Sequence, residues 1–138
     1  MIRVAQAKIE EVGLAQRTGL TRGDAQFLPF DDEKFDAIFM SFTLELFDTP
    51  EIPKVLGELR RILRDDGRLG VVALSLAEDP GVATRIYLAA HRRFPRLLDC
   101  RPIPTARLLE EAGFHIQSLS TRPMWGLPVD LVVASRRD

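Results

Sequence analysis

Gly23-Asp24-Ala25-Gln26-Phe27-Leu28-Pro29-Phe30-Asp31-Asp32-Glu33-Lys34-Phe35-Asp36-Ala37-Ile38-Phe39-Met40-Ser41 is the stretch whose reading decides the fold. It reads as the end of one strand, an acidic turn, a loop around Pro29 and a second, mostly apolar strand. Pro29 removes a backbone donor and restrains the residue before it, which suits a loop. The run from Phe35 to Phe42 is nearly all apolar after Asp36, the pattern of a strand covered on both faces in a parallel sheet. Asp24 and Ser41 stand where the two strands stop. The carboxyl ends of strands are where an open α/β sheet binds ligands.

The flanking segments alternate in kind. Ile2, Ala5, Ile9 and Val12 share a helical face, and Gly13 is placed to end that helix. Arg17 to Arg22 is the candidate first strand, with Thr18 and Leu20 as its β formers. Asp48-Thr49-Pro50 opens a helix over Ile52 to Leu63, with Val55, Leu59, Ile62 and Leu63 on one face and Arg60, Arg61 and Arg64 near its end, where cations favour the helix dipole. Asp65-Asp66-Gly67 stops it, and Arg68 to Leu76 is a second buried strand. Pro80-Gly81 opens a helical region over Val82 to Phe94. The stretch from Pro95 to Pro104 carries three prolines and no period, so 80–104 is the candidate substrate lid. Thr105 is the expected cap of a helix over Ala106 to Ala112. His115 to Thr121 and Leu131 to Ala134 are short strands around a turn at Pro123 to Pro128, close enough to pair antiparallel. Strands alternating with helices argue for a parallel α/β sheet in a single domain over 1–138.

Composition narrows the classes. The chain has 138 residues, a formal net charge of -1, 46% hydrophobic and 28% charged residues. Arginines are interleaved with acids, so no basic surface calls for nucleic acid. The single cysteine, Cys100, excludes an internal disulfide and fits a reducing cytoplasm. Lys8, Glu10 and Glu11 occupy the place of a signal-peptide apolar core, and the longest apolar run, Leu69 to Ala77, is too short for a membrane span. Two histidines and one cysteine, far apart, do not make a zinc site, so no metal is expected.

Several of these segments, in this order, resemble the class I S-adenosylmethionine-dependent methyltransferases. Gly23-Asp24-Ala25 with Leu28-Pro29-Phe30 is similar to the family's third-strand motif, and Phe35-Asp36-Ala37-Ile38 with Ser41-Phe42 to its fourth. Glu58-Leu59-Arg60-Arg61-Ile62-Leu63 followed by Asp66-Gly67-Arg68-Leu69 resembles its "E-x-x-R-hydrophobic-L-x-x-G-G-x-L" segment, with Asp66 in place of the first glycine. Leu108 to Phe114 resembles the helix leading into its sixth strand. The nearest subgroup is the ubiquinone/menaquinone-biosynthesis type, within methyltransferase type 11.

The resemblance implies a Rossmann-like α/β sheet with a C-terminal antiparallel strand pair, and S-adenosyl-L-methionine as cofactor. It also implies a departure. The family's first strand and glycine-rich loop have no counterpart here, and the nine glycines never form a G-x-G pair. Met1 to Ala5 looks like the helix after the second strand. The expectation is therefore an N-terminally truncated, partial domain that lacks the first two strands. In the family's sheet order, 3-2-1-4-5-7-6, those strands lie between the strand ending at Gly23 and the one starting at Phe35. Their loss leaves two unpaired edges, and a homodimer or strand-swapped oligomer is one way to close them.

Site residues follow from the resemblance. Asp24 accepts the adenine amino hydrogens and the Ala25 N–H meets a ring nitrogen; the plain alternative for Asp24 is a turn residue bonding its own backbone. Ser41 faces the methionyl end or merely terminates a strand. His91 and Glu45 are the candidate catalytic residues, His91 as a general base near its natural pKa. Tyr87, four residues before His91 on the same helical face, and Trp125 are candidate walls of the acceptor pocket; the plainer reading of His91 is a partly exposed residue on an amphipathic helix, and Trp125 reads equally as a hairpin-tip aromatic folded onto the sheet. The implied function is methyl transfer to a small, partly apolar acceptor. The alternatives are a non-catalytic remnant or partner-requiring subunit, and, more remotely, a nucleotide-binding oxidoreductase domain.

Overall fold

The computed structural model describes residues 2–76, 101–124 and 126–137. Helix α1 is Ile2–Glu11, strand β1 Phe35–Ser41, helix α2 Ile52–Ile62, strand β2 Leu63–Leu74, helix α3 Thr105–Glu111, strand β3 Phe114–Met124 and strand β4 Leu127–Arg136. The four strands form one sheet in the order β1-β2-β4-β3. β1 and β2 are parallel, and the two later pairings are antiparallel. The α/β class and the C-terminal antiparallel pair are as expected.

One face of the sheet is the core. Met40, Leu69, Val71, Ala73, Val132 and Ala134 pack against Val55, Leu56 and Leu59 of α2 and Leu109 of α3. Burying such side chains is worth about 1.5–3 kcal/mol each. α2 presents the expected apolar stripe, and Ile52, Val55, Leu56, Leu59 and Ile62 are all buried. The opposite face is bare among the described residues, with Phe39, Leu131 and Val133 71%, 41% and 36% exposed.

Several expectations are corrected. β1 is not covered on both faces; it is an edge strand, and only Met40 along it is fully buried. The strand expected over Arg17 to Arg22 does not form. Ala15–Arg17 is one 3₁₀ turn, and 18–23 is exposed and without regular structure. A strand needs a neighbour to accept its ladder bonds, and no described strand stands beside it. α1 also buries no residue, although Gly13 ends it as expected with φ +71° and an N–H bond to Glu10 O of 3.0 Å.

The helix stop at Asp65-Asp66-Gly67 is instead a bulge inside β2. Phe35 pairs with Leu63, but Ala37, two residues on, pairs with Arg68. The looped-out residues fold back on Leu63, and a Cβ on Gly67 would lie 2.7 Å from Leu63 Cδ1 and 3.0 Å from Arg64 O, so a side chain there would force Leu63 to shift. Thr105 is the first helical residue, not a cap; its hydroxyl donates to Ile103 O at 3.5 Å. The expected turn at Pro123 to Pro128 is mostly zipped into the hairpin, since Pro123 pairs with Pro128 and Met124 with Leu127. Of the candidate lid, 80–100 lies outside the described residues; Ile103 bridges to Ser75 beside the end of β2.

The amides of 18–23 are expected to exchange orders of magnitude faster than those of Val71 to Leu74 in the sheet centre. Equal protection by hydrogen–deuterium exchange would contradict this account.

Candidate functional site

The turn after residue 23 is built by local bonds. The Phe27 N–H donates to Asp24 O at 3.0 Å, and the Gln26 N–H donates to Asp24 Oδ1 at 2.9 Å. The Asp24 side chain thus bonds its own backbone, which leaves Oδ2 free in an exposed carboxylate. No described residue accepts from the Ala25 N–H. Beside the turn is a shallow pocket of about 400 Å³, lined by Gly19, Leu20, Thr21, Gly23, Ala25, Leu28, Pro29 and Phe30. Ser41 is exposed at the carboxyl end of β1 and is not one of its walls.

The loop that follows the turn is clamped to α2. Arg61 Nη1 donates to Phe30 O at 2.8 Å and to Asp32 Oδ1 at 2.7 Å, and Nη2 donates to Leu28 O at 3.0 Å. The same guanidinium forms a fork with Glu58, through Nε to Oε1 and Nη2 to Oε2, both at 2.9 Å. Glu58 Oε2 in turn accepts the Leu28 N–H at 2.8 Å. Gln26 adds a bond to Glu51 at 3.0 Å. The Arg61 side-chain bond, together with the Leu28 N–H, holds the Glu58 carboxyl below its ordinary value. Sequence reasoning placed Arg61 as a cation near a helix end and as the arginine of the E-x-x-R segment, with no contact assigned to it. The signal for its real task was the i, i+3 spacing of Glu58 and Arg61.

Glu45 sits on the single 3₁₀ turn Leu44–Leu46 after β1 and is 1% exposed. Its Oε1 accepts the Leu74 N–H at 3.3 Å, which ties the turn after β1 to the end of β2. Oε2 has no partner among the described residues. Burial pushes this carboxyl up from its ordinary value, against the opposing pull of its backbone hydrogen bonds. His91, Tyr87 and Trp125 lie outside the described residues, as do Arg92 and Cys100. His115 is exposed on β3. Among the described residues, no group of three or more His, Cys, Asp or Glu is placed to hold a metal. No described helix is long and apolar enough to cross a membrane.

A family model described as "Methyltransferase domain" matches residues 1–67. The demethylmenaquinone methyltransferase of Thermus thermophilus is 32% identical over 85% of this chain and 60% of its own length. A putative methyltransferase structure from Bacillus halodurans superposes over 99% of this chain and 79% of its own, with a TM-score of 0.77 at 20% identity. The chain is thus similar to the S-adenosylmethionine-dependent methyltransferases, in sequence and in fold, as the sequence motifs led one to expect. It spans between about a third and three-fifths of the curated relatives it matches. The [4+2]-cyclase SpnF has the same fold, with a TM-score of 0.77 at 19% identity, so the fold alone does not determine the reaction.

Two variants test this geometry. Arg61→Lys loses the planar fork, so the loop at 28–32 should become sensitive to limited proteolysis while the helical circular dichroism of the body is kept. Glu45→Gln tests the buried carboxyl. Its folded pKa is raised, so its stability contribution is present below the ordinary value of 4.5 and lost as pH rises through the folded value. At neutral pH, Glu45→Gln should be the more stable protein by about 1–3 kcal/mol in urea titrations. The difference should close on acidification.

Proposed function

We propose that this chain carries the adenine-binding half of a methyl-transfer site for a small, partly apolar acceptor. The observation behind this reading is the Asp24–Ala25 turn beside its pocket. It offers one free carboxylate oxygen and one free N–H side by side. That acceptor–donor pair fits the amino group and adjacent ring nitrogen of adenine. Asp24 Oδ1 stays bonded to Gln26, which fixes the carboxylate plane, while Oδ2 meets the ligand. Leu28 and Pro29 wall the pocket, and the Arg61 clamp holds both in place.

S-adenosylmethionine supplies a sulfonium-activated methyl group, so the protein's share is to position the acceptor and exclude water. In this reading Ser41 meets the methionyl end, and Tyr87 and Trp125 wall the acceptor pocket. His91 takes a proton from the acceptor where one must leave. Glu45 acts from beneath, by fixing the turn after β1 against β2. The names of the relatives favour a quinone-type acceptor. The cytoplasm suits a chain with one cysteine.

The open edge of β1 favours a second reading in parallel: the site needs a partner or a further segment. None of the nine glycines forms the G-x-G pair that would cradle the methionyl end. Calorimetric titration with S-adenosylhomocysteine separates the readings. The test compares this chain with a form extended by a strand and glycine-rich turn before residue 1. Binding by the extended form, weakened roughly tenfold or more by Asp24→Ala, is the expected result. Binding by neither form, or an Asp24→Ala protein that binds unchanged, would reject the adenine-binding assignment.

A further inference from the structure

We infer that Gln26 and Glu51 are positioning residues for the Asp24 carboxylate: the start of α2 sets the angle at which Asp24 Oδ2 is offered to a ligand. The inference rests on the adenine-binding reading of the Asp24–Ala25 turn and adds two residues to which that reading gives no task.

The turn is closed on itself. Asp24 and Phe27 form an isolated antiparallel bridge, and the Gln26 N–H donates to Asp24 Oδ1 at 2.9 Å. Such bonds fix the carboxylate relative to the turn, not relative to the body of the protein. Upstream, residues 18–23 are exposed and without regular structure, so they give little hold. Downstream, the Arg61 and Glu58 bonds begin at Leu28, beyond the exposed Phe27. Ala25 packs against the core and sets the depth of the turn, but an apolar contact has no direction. Among the described residues, the hydrogen bond that runs from the turn itself to the body is Gln26 Nε2 to Glu51 Oε1, at 3.0 Å across 25 residues of sequence.

Glu51 is a firm anchor. It stands immediately before α2, its backbone carbonyl accepts the Val55 N–H at 3.1 Å, and Ile52 and Val55 are buried in the core. Its second oxygen, Oε2, accepts the Asp48 N–H at 3.2 Å, so both carboxylate oxygens are committed. The bond to Gln26 joins a neutral donor to a charged acceptor in a half-buried place, and such bonds are stronger than neutral pairs. One residue thus links the two ends: the Gln26 side chain is held by Glu51, and its backbone N–H holds Asp24. An acceptor held in place beforehand binds more tightly, because less order is lost on binding.

The test is a reciprocal exchange. Gln26→Glu sets a second carboxylate against Glu51 and ends the bond. Adding Glu51→Gln restores it with donor and acceptor exchanged: the new amide donates to the carboxylate at position 26, and its oxygen still accepts the Asp48 N–H. The double variant keeps the wild-type net charge, and Gln26→Met removes the bond without adding charge. In the intact chain, amide hydrogen exchange at positions 26 and 27, followed by NMR, should be roughly tenfold faster in Gln26→Glu and Gln26→Met. It should return to the wild-type rate in the double variant, with Val71 to Leu74 unchanged throughout. Calorimetry with S-adenosylhomocysteine, run on this chain and on the form extended before residue 1, should show affinity weakened roughly tenfold by each single change and regained in the exchange. Equal exchange rates in every variant, or a double variant as fast as Gln26→Glu, would overturn the positioning. So would single variants that lose protection at 26 and 27 yet bind the ligand unchanged. If neither wild-type form binds the ligand, the adenine-binding reading fails, while the exchange rates still decide whether Gln26 and Glu51 fix the turn.

Discussion

A polypeptide's backbone must place every hydrogen-bonding group somewhere, and in this molecule β1 is where that requirement is only half met. Its inner side is committed to β2 in a parallel ladder. Its outer side has no neighbour among the described residues. Among the described residues, the stretch over 18–23 likewise has no strand beside it, and α1 buries no residue. The remaining strands compensate by packing one face densely against α2 and α3. That is why Leu69, Val71, Ala73 and Ala134 are almost completely buried while Phe39, one strand away, is in solvent.

The clamp of Arg61 and Glu58 carries order from this packed body to the loop that follows the Asp24–Ala25 turn. Six hydrogen bonds connect α2 to residues 28–32 or join the two side chains. Two of the acceptors are backbone carbonyls of the loop. Loops with few apolar contacts are held in place by such polar fixings. A planar guanidinium suits the task because its donors diverge in one plane. The family's E-x-x-R spacing thus has a mechanical meaning here. Three residues along a helix bring acid and base onto one face, side by side.

Much of the architecture was legible because it depends on local pattern. The stripe of α2, the apolar run of β2 and Gly13 at the end of α1 are each specified by residues close in sequence. What was not legible depends on neighbours. The run from Phe35 to Phe42 has the composition of a central strand, and nothing in it reveals that one flank is open. Thr18 and Leu20 favour a strand, yet propensity without a partner does not make one. Asp65-Asp66-Gly67 has the chemistry of a turn, and only the pairing of Phe35 with Leu63 turns it into a bulge. The site was legible to the same degree. Asp24 sits in the turn anticipated for it, bonding its own backbone with one oxygen. The burial of Glu45 comes from β2 closing over it, a contact separated by 29 residues.

The way the Gly23–Asp32 loop is fastened has a practical corollary. Its anchors all lie downstream, on α2, and none lies in the helix and linker that precede it. The first two dozen residues are in mechanical terms a tether rather than a foundation. Whatever they are attached to, or swung towards, the corner at Asp24 should keep its shape.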